Sequence, residues 1–237
     1  MSEDLSPIAL SRFDGPDALA RALAAVVAEA VRSRLARAPT AALAVSGGRT
    51  PTRFFQMLSG APLDWARVTI TLVDERWVPE SSDRSNAALV RANLLQGPAA
   101  QARFLPLFNT ADSPEAGLAA LEQAAAALPL PFAAVVLGMG ADGHTASFFP
   151  GAANLGEVMD PNTARLLGTV SAPDADEPRM TFTLPPLLAA DALFLHIEGT
   201  HKWDVLEAAR GRGAEEAFPI RAILRRTRQP LDVLWCP

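Results

Sequence analysis

The chain has 237 residues, of which 49% are hydrophobic and 20% are charged, a composition typical of a globular protein with a buried core. A formal net charge of -5 argues against nucleic acid as a partner, because an acidic protein repels a polyanion. Residues 1–7 lack a signal-peptide pattern, no apolar run reaches about 18 residues, and the one cysteine, Cys236, cannot form an internal disulfide. We therefore expect a cytoplasmic protein without a membrane span.

Helices and strands alternate along most of the chain. Apolar residues at helical spacing predict the helices, and short apolar runs predict the strands. The predicted elements, in chain order, are a helix over 17–38, a strand over 41–45, a helix over 50–58, a strand over 68–73, helices over 85–95 and 113–128, strands over 132–137, 166–171, 180–184 and 191–198, a helix over 200–209 and a strand over 231–235. In the second helix, Thr50 is the predicted N-cap and Pro51 the first helical residue.

This alternation predicts an α/β fold with a mostly parallel sheet and helices on both faces. The sequence contains neither an internal repeat nor a low-complexity linker, and we predict a single domain over residues 1–237. Segment 156–176 is rich in Pro, Asp and Asn at its ends, which is typical of a mobile loop.

Three segments with glycines or charges, each predicted as a turn, follow three of the predicted strands. They are the first glycine turn (residues 46–50), the charged segment (residues 74–79) and the second glycine turn (residues 138–144). The carboxyl ends of parallel strands meet at one edge of a sheet, and open α/β sheets bind their ligands there. We therefore expect the three segments to form one active site.

The first glycine turn combines features of an anion-binding site. Gly47 and Gly48, flanked by Ser46 and Thr50, allow backbone N–H groups to point at a ligand, and the following helix adds the partial positive charge of its N-terminus. Arg49 either adds a full charge or points to solvent. The spacing matches neither a P-loop nor a dinucleotide fingerprint, so a tight turn without a ligand is the alternative.

Two acids and an arginine, Asp74, Glu75 and Arg76, begin the charged segment. The planar fork of an arginine suits phosphate or carboxylate, and the neighbouring acids can hold it in place; a surface charge cluster is the alternative. Arg179 at a predicted strand start and Lys202 near a predicted helix start are further candidates for the same anion. Most lysines near helix starts are solvated, so Lys202 is a weak candidate by itself.

The second glycine turn carries an acid and a base, Asp142 and His144, two residues apart. A histidine transfers protons near neutral pH, and an aspartate can orient it or balance its charge. Glycines such as Gly140 let a ligand come close to the backbone. This turn therefore predicts acid–base catalysis.

The other two histidines, His196 and His201, lie in a predicted strand and at a predicted helix start. We expect His196 to be a hydrogen-bonded core residue and His201 to cap the helix or lie on the surface. Three histidines so far apart, with no paired cysteines, give no metal-site spacing, and no Gly-x-Ser-x-Gly elbow is present. The sequence therefore predicts neither a metal centre nor a serine triad.

Together these segments resemble the 6-phosphogluconolactonases, which share a superfamily with the glucosamine-6-phosphate deaminases. The longest segment is the most specific, and its Phe149 is a conservative departure from the family's leucine. The matching segments, in the family's order, are Ser46-Gly47-Gly48-Arg49-Thr50-Pro51, Val73-Asp74-Glu75-Arg76-Trp77-Val78-Pro79 with Ser85-Asn86, Gly138-Met139-Gly140-Ala141-Asp142-Gly143-His144-Thr145-Ala146-Ser147-Phe148-Phe149-Pro150-Gly151, Pro178-Arg179-Met180-Thr181 and Gly199-Thr200-His201-Lys202.

The resemblance implies a Rossmann-like, doubly wound sheet. It also implies hydrolysis of 6-phospho-D-glucono-1,5-lactone to 6-phospho-D-gluconate in the oxidative pentose phosphate pathway, with no cofactor. The partner is then a small sugar-phosphate lactone, with no nucleic acid and no membrane, and we expect a monomer or a weak homodimer.

The site residues follow from the motifs and the resemblance together. We predict that His144 is the general base for water and that Asp142 orients it or binds substrate hydroxyls. Backbone N–H groups of the glycine turns, with Arg76, are predicted donors to the oxyanion or to the phosphate, and the division of Arg76 between them stays open. The predicted substrate- and phosphate-binding residues are Ser46, Gly47, Gly48, Arg49, Thr50, Asp74, Arg76, Gly140, Arg179 and Lys202.

Three other functions fit parts of the sequence. Amino-sugar phosphate deamination needs further acid–base groups, and the deaminases carry Asn-Glu-Pro where this chain has Phe148-Phe149-Pro150 and no glutamate. A sugar-phosphate sensor without turnover would use the same anion site, but binding alone requires no base. A nicotinamide dehydrogenase fits least, because Asp142 and His144 would crowd the pyrophosphate.

Overall fold

The computed structural model describes residues 8–48, 50–172 and 175–237, and a parallel sheet runs through the middle of this part of the chain. Ten strands are present in the described residues. In chain order they are β1 (Ile8–Arg12), β2 (Ala41–Val45), β3 (Val68–Leu72), β4 (Asp74–Arg76), β5 (Arg103–Leu105), β6 (Ala134–Leu137), β7 (Leu167–Val170), β8 (Arg179–Phe182), β9 (Leu193–Glu198) and β10 (Leu231–Cys236).

Seven of these strands form the central sheet, in the order β1-β10-β9-β6-β2-β3-β5, and every neighbouring pair is parallel. Helices pack around it, which confirms the predicted α/β fold. They are α1 (Pro16–Leu35), α2 (Thr52–Ser59), α3 (Asn86–Asn93), α4 (Pro114–Ala126), α5 (Leu155–Val158), α6 (Leu184–Leu188), α7 (Thr200–Arg210) and α8 (Ile220–Arg226), with short 3-10 helices over Trp65–Arg67, Gly97–Gln101 and Glu215–Ala217.

The inner strands are apolar along their whole length because both faces of the sheet are covered. All five residues of β2 and all four residues of β6 are buried. Continuous apolar runs of this kind are typical of parallel strands, whereas a strand with one solvated face would alternate. This is why the sequence predicts β2 with its observed boundaries.

The order of the strands reverses between β2 and β6. From β2 the chain moves outward through β3 to β5, and from β6 it moves the other way through β9 to β10. The two strands lie side by side, with Val45 paired to Val136. The turns that follow them therefore open into a crevice at the carboxyl edge, the usual ligand site of such sheets.

A second, antiparallel sheet in the order β4-β8-β7 was not expected from the sequence. The charged segment, predicted as a turn, begins with strand β4. The predicted strands 166–171 and 180–184 correspond to β7 and β8 but belong to this small sheet. Pairing of β4 with β8 depends on residues far apart in the chain, which local patterns do not reveal.

Two smaller predictions are corrected. The N-cap of α2 is Pro51, without a side-chain hydrogen bond, so the assignment of Thr50 as N-cap is wrong. Segment 156–176, predicted as a loop, contains most of α5 and all of β7, and residues 173–174 lie outside the described residues. Cys236 is free and buried in β10, as expected.

No helix in the described part of the chain is both long and apolar enough to cross a membrane.

Candidate active site

A cavity of about 240 Å³ opens at the carboxyl edge of the central sheet, at the point where the strand order reverses. Both glycine turns and the start of the charged segment contribute to its wall, as expected from their positions after parallel strands. The residues that line it are Ser46, Gly47, Gly48, Thr50, Pro51, Asp74, Arg76, Asn86, Val136, Leu137, Gly138, Met139, Gly140, His144, Ala146, His196 and Lys202.

Most of the site residues predicted from the sequence lie on this wall. Asp142 and Arg179 do not line the cavity, but each lies next to a residue that does: Asp142 is hydrogen-bonded to His144, and Arg179 is paired with Arg76. Arg49 lies outside the described residues, so its role stays a prediction. The predicted residues that line the cavity are Ser46, Gly47, Gly48, Thr50, Asp74, Arg76, Gly140, His144 and Lys202.

His144 and Asp142 form a hydrogen-bonded pair in the second glycine turn. The Nδ1 atom of His144 lies 2.6 Å from Oδ1 of Asp142, and the same oxygen accepts the backbone N–H of His144. Burial acts to raise the pKa of Asp142, but its hydrogen bonds and charge interaction with His144 outweigh burial and lower the pKa below its usual value. An ionised Asp142 binds an Nδ1–H, which leaves Nε2 of His144 as the basic nitrogen.

Neighbouring residues fix the position of the His144 ring. The ring of Phe149 packs against it with centroids 4.5 Å apart. A Cβ atom at Gly140 would lie 2.2 Å from Nδ1 of His144 and 2.5 Å from the Asp142 carboxylate, so only glycine leaves room for the pair. Gly143 has a φ of +79°, which favours glycine.

The backbone N–H groups of the second glycine turn are largely used within the protein. Gly138 donates to Oγ of Ser46, Gly140 to the carbonyl of His144, and Gly143 to the carbonyl of Gly140. These three groups are therefore not free to bind an oxyanion, which corrects that part of the expectation. Gly140 contributes space for the histidine.

The first glycine turn is tied to the second one through Ser46, and its glycines line the cavity. Oγ of Ser46 donates to the carbonyl of Val136 and accepts the N–H of Gly138, both at 3.0 Å. Gly47 and Gly48 line the cavity, and their N–H groups have no hydrogen-bond partner among the described residues. Such N–H groups can bind an anion.

Strand β4 brings a carboxylate and a guanidinium to the wall. Asp74 accepts a 2.6 Å hydrogen bond from the hydroxyl of Ser147, which fixes its carboxylate. Arg76 donates through Nη1 to the carbonyl of Arg84 at 2.5 Å. Asn86 lines the cavity as well and donates through Nδ2 to the carbonyl of Asp74. The charged segment is thus part of the site and not a surface cluster.

Glu75 points away from the cavity and joins β4 to the N-terminus of α3. Its carboxylate accepts the N–H groups of Arg76, Asn86 and Ala87 and the hydroxyl of Ser85. Burial raises the pKa of Glu75 from its ordinary 4.5 to about 7, against the lowering effect of the three N–H groups. Glu75 therefore supports the strand that carries Asp74 and Arg76.

The raised pKa of Glu75 predicts a pH-dependent contribution to stability. Between about pH 4.5 and pH 7 the Glu75 carboxyl keeps its proton in the folded protein and loses it in the unfolded chain. The contribution of Glu75 to the free energy of unfolding is therefore present below this range and is lost as the pH rises through it. We expect the free energy of unfolding of the wild type, relative to Glu75→Gln, to fall by about 3 kcal/mol across this range. Denaturant unfolding at several pH values measures it, with the exposed Glu216→Gln as control, and a pH-independent difference would contradict it.

Arg179 and Lys202 occupy different environments. Arg179 is buried in β8, donates to the carboxylate of Glu177 at 3.1 Å, and lies over the ring of Phe149. Lys202 lines the cavity from the first turn of α7 and is the only lysine of the chain. Burial lowers the pKa of Lys202, and Glu198 acts to raise it. Lys202 is thus the better placed of the two to contact a bound anion, and a phosphate-binding role for Arg179 stays a prediction.

Several residues of the site have roles that the sequence analysis did not assign to them. Asn86, Ser147 and Glu75 act through partners that are distant along the chain. His196 is buried and hydrogen-bonded, as expected of a core residue, but it also lines the cavity. The position of His196 on β9, the strand next to β6, was the signal that could have indicated its access to the cavity. Among the described residues, no group of three or more His, Cys, Asp or Glu side chains is arranged to bind a metal.

Comparison with known proteins identifies close relatives over nearly the whole chain. Residues 14–235 match the family described as glucosamine-6-phosphate isomerases/6-phosphogluconolactonase. The chain is 52% identical over 225 residues to the 6-phosphogluconolactonase of Rhizobium meliloti, covering 95% of this chain and 97% of that protein. It is 46% identical to that of Pseudomonas aeruginosa, covering 92% and 90%. A crystal structure of a 6-phosphogluconolactonase from Shewanella baltica superposes with a TM-score of 0.95 at 38% identity, covering 98% of this chain and 99% of that one.

Proposed function

Because the chain belongs to the family of glucosamine-6-phosphate isomerases and 6-phosphogluconolactonases, we propose that it hydrolyses 6-phospho-D-glucono-1,5-lactone to 6-phospho-D-gluconate. The observation that carries the proposal is His144, hydrogen-bonded to Asp142, on the wall of a cavity that is also lined by Lys202 and the first glycine turn. This combines a base for water with a binding site for phosphate.

The substrate has two ends with different requirements. Its cyclic ester at C1 needs a base to activate water and an acid to protonate the departing ring oxygen. Its phosphate at C6 does not react, so the energy of binding it can position C1 against the water. A base and an anion site in one cavity meet both requirements.

His144 carries out the proton transfers in this account. Nε2 of His144 removes a proton from water while the water oxygen bonds to C1, and the carbonyl oxygen becomes an oxyanion. When the oxyanion collapses, the bond between C1 and the ring oxygen breaks, and His144 returns its proton to that oxygen. The acid formed at C1 then loses a proton to solvent. Asp142 keeps the ring oriented and balances its charge while it is protonated.

The remaining polar residues bind the two ends of the substrate. The N–H groups of Gly47 and Gly48 and the ammonium of Lys202 bind the phosphate, with Ser46 and Thr50 beside them. Asp74, oriented by Ser147, accepts hydrogen bonds from sugar hydroxyl groups. A local cluster of this kind is needed because the net charge of -5 repels an anion.

The proposed reaction is tested against the other activity of the family. Purified protein is mixed with 6-phosphogluconolactone, freshly generated from glucose 6-phosphate and its dehydrogenase, and separately with glucosamine 6-phosphate. We expect rapid formation of 6-phosphogluconate from the first and no ammonia from the second. Ammonia release without faster lactone loss would replace the proposal with deamination.

We expect replacement of Lys202 to weaken binding of the lactone. In Lys202→Ala the phosphate loses one charge-assisted contact, so we expect KM for the lactone to rise about 10-fold or more and kcat to fall by a smaller factor. Arg210→Ala, which removes an exposed cation at the other end of α7, is the matched control. A loss confined to kcat would contradict an anchoring role for Lys202.

A further inference from the structure

The cavity contains a second imidazole that the proposed mechanism does not use. His196 lies in β9, is only 3% exposed, and lines the cavity. Leu137 of β6 pairs with Leu195 of β9, so His196 is the next residue toward the carboxyl edge and is level with Gly138. A buried titratable side chain on the cavity wall needs a physical explanation.

Glu198 fixes the His196 ring from the same strand. The two residues are two positions apart and face the same side of the sheet, and Oε1 of Glu198 lies 3.1 Å from Nε2 of His196. This hydrogen bond lowers the pKa of Glu198, so its carboxylate is ionised. The ring of Phe54 in α2 packs edge-on against the imidazole, with centroids 6.3 Å apart.

The Glu198 carboxylate faces cationic groups from neighbouring elements. Lys202 of α7 and Arg53 of α2 interact with it electrostatically, and Lys202 lines the same cavity as His196. The thiol of Cys236 in β10 also lies within its electrostatic reach. One partly buried carboxylate therefore supports two side chains, His196 and Lys202, that both line the cavity.

We propose that His196, oriented and charge-balanced by Glu198, is a further binding residue for the phosphate group of the substrate. The inference rests on the proposed function, because it names a residue of the same site. Glu198 engages Nε2, which leaves Nδ1 as the ring nitrogen for a ligand. An imidazole that donates through both nitrogens is an imidazolium, and Glu198 and a phosphate dianion together supply the negative charge that a buried cation requires. His196 contacts the ligand, and Glu198 is its positioning residue.

Two variants test the proposal. His196→Asn removes the cation but keeps a polar side chain, and Glu198→Gln removes the charge that supports the imidazolium. For His196→Asn we expect KM for the lactone and the dissociation constant of inorganic phosphate, measured by calorimetry, each to rise at least about 10-fold, the loss expected for one hydrogen bond to a charged group. The value of kcat should fall by a smaller factor. Glu198→Gln should shift both constants in the same direction.

The control is His201→Asn, an exposed histidine in the first turn of α7, which should bind phosphate like the wild type. Unchanged phosphate binding in both test variants would overturn the proposal. A fall in kcat as large as the rise in KM would also overturn it, because such a change indicates general damage to the site. The calorimetric measurement needs no turnover. If the wild type binds phosphate but does not hydrolyse the lactone, the proposed function fails while the role of His196 is still decided.

Discussion

The His144→Ala variant should lose most of its lactone turnover, with kcat reduced by about 10²–10⁴-fold, the usual contribution of a general base. Alanine removes the imidazole that is hydrogen-bonded to Asp142, so neither the proton of water nor that of the ring oxygen can be transferred in this way. Initial rates at saturating lactone measure the loss.

This loss must be separated from a loss of folding or binding. Calorimetric titration with 6-phosphogluconate should give a dissociation constant near that of the wild type, because His144 lies apart from the proposed phosphate contacts in this account. Turnover by His144→Ala at close to the wild-type kcat would exclude His144 as the base.

The second large effect is expected for Asp142→Asn. The carboxylate of Asp142 binds an Nδ1–H of His144 and so leaves Nε2 unprotonated. The amide of asparagine can instead donate to Nδ1, which favours the tautomer with its proton on Nε2, and that tautomer cannot accept a proton from water. We expect kcat to fall about 10²–10⁴-fold although the side chain keeps its size.

The exposed Asp83→Asn provides a matched control for the same substitution. Its kcat should equal that of the wild type. If Asp142→Asn retained wild-type kcat as well, Asp142 would have no part in setting the tautomer of His144, and its role would be limited to contacts with substrate.

The parts of the fold that were predictable from sequence are those fixed by local patterns. Strand β2 is a five-residue apolar run between polar turns, and helix α1 repeats apolar residues at helical spacing. Both patterns reflect burial on the central sheet. Short helices such as α6 and α8 were missed. A helix of so few residues is stable only when it packs against the rest of the protein, and local sequence patterns do not reveal that packing.

Strand β4 shows why the small sheet was not predictable. Its three residues, Asp74–Arg76, are charged and follow a strand, which is typical of a turn. They become a strand because β8 offers an antiparallel partner and because Glu75 binds the first N–H groups of α3. Both conditions depend on residues distant in the chain.

The same distinction applies to the site. The two glycine turns and Lys202 carry recognisable patterns at the ends of strands or the start of a helix, and they were predicted. The supporting residues Ser147 and Asn86 were not assigned roles, because their contacts with Asp74 form only in the tertiary structure. His196 was assigned to the core, since its burial follows from the strand pattern and its access to the cavity depends on the strand order.

The most direct test of the proposed lactonase activity compares the rate of lactone loss in three samples: the wild type, His144→Ala and buffer alone. The buffer sample is necessary because the lactone also hydrolyses without an enzyme. We predict rapid loss with the wild type and a rate close to that of buffer with the variant. Equal rates in all three samples would contradict the proposed lactonase activity and favour a protein that binds sugar phosphates without converting them.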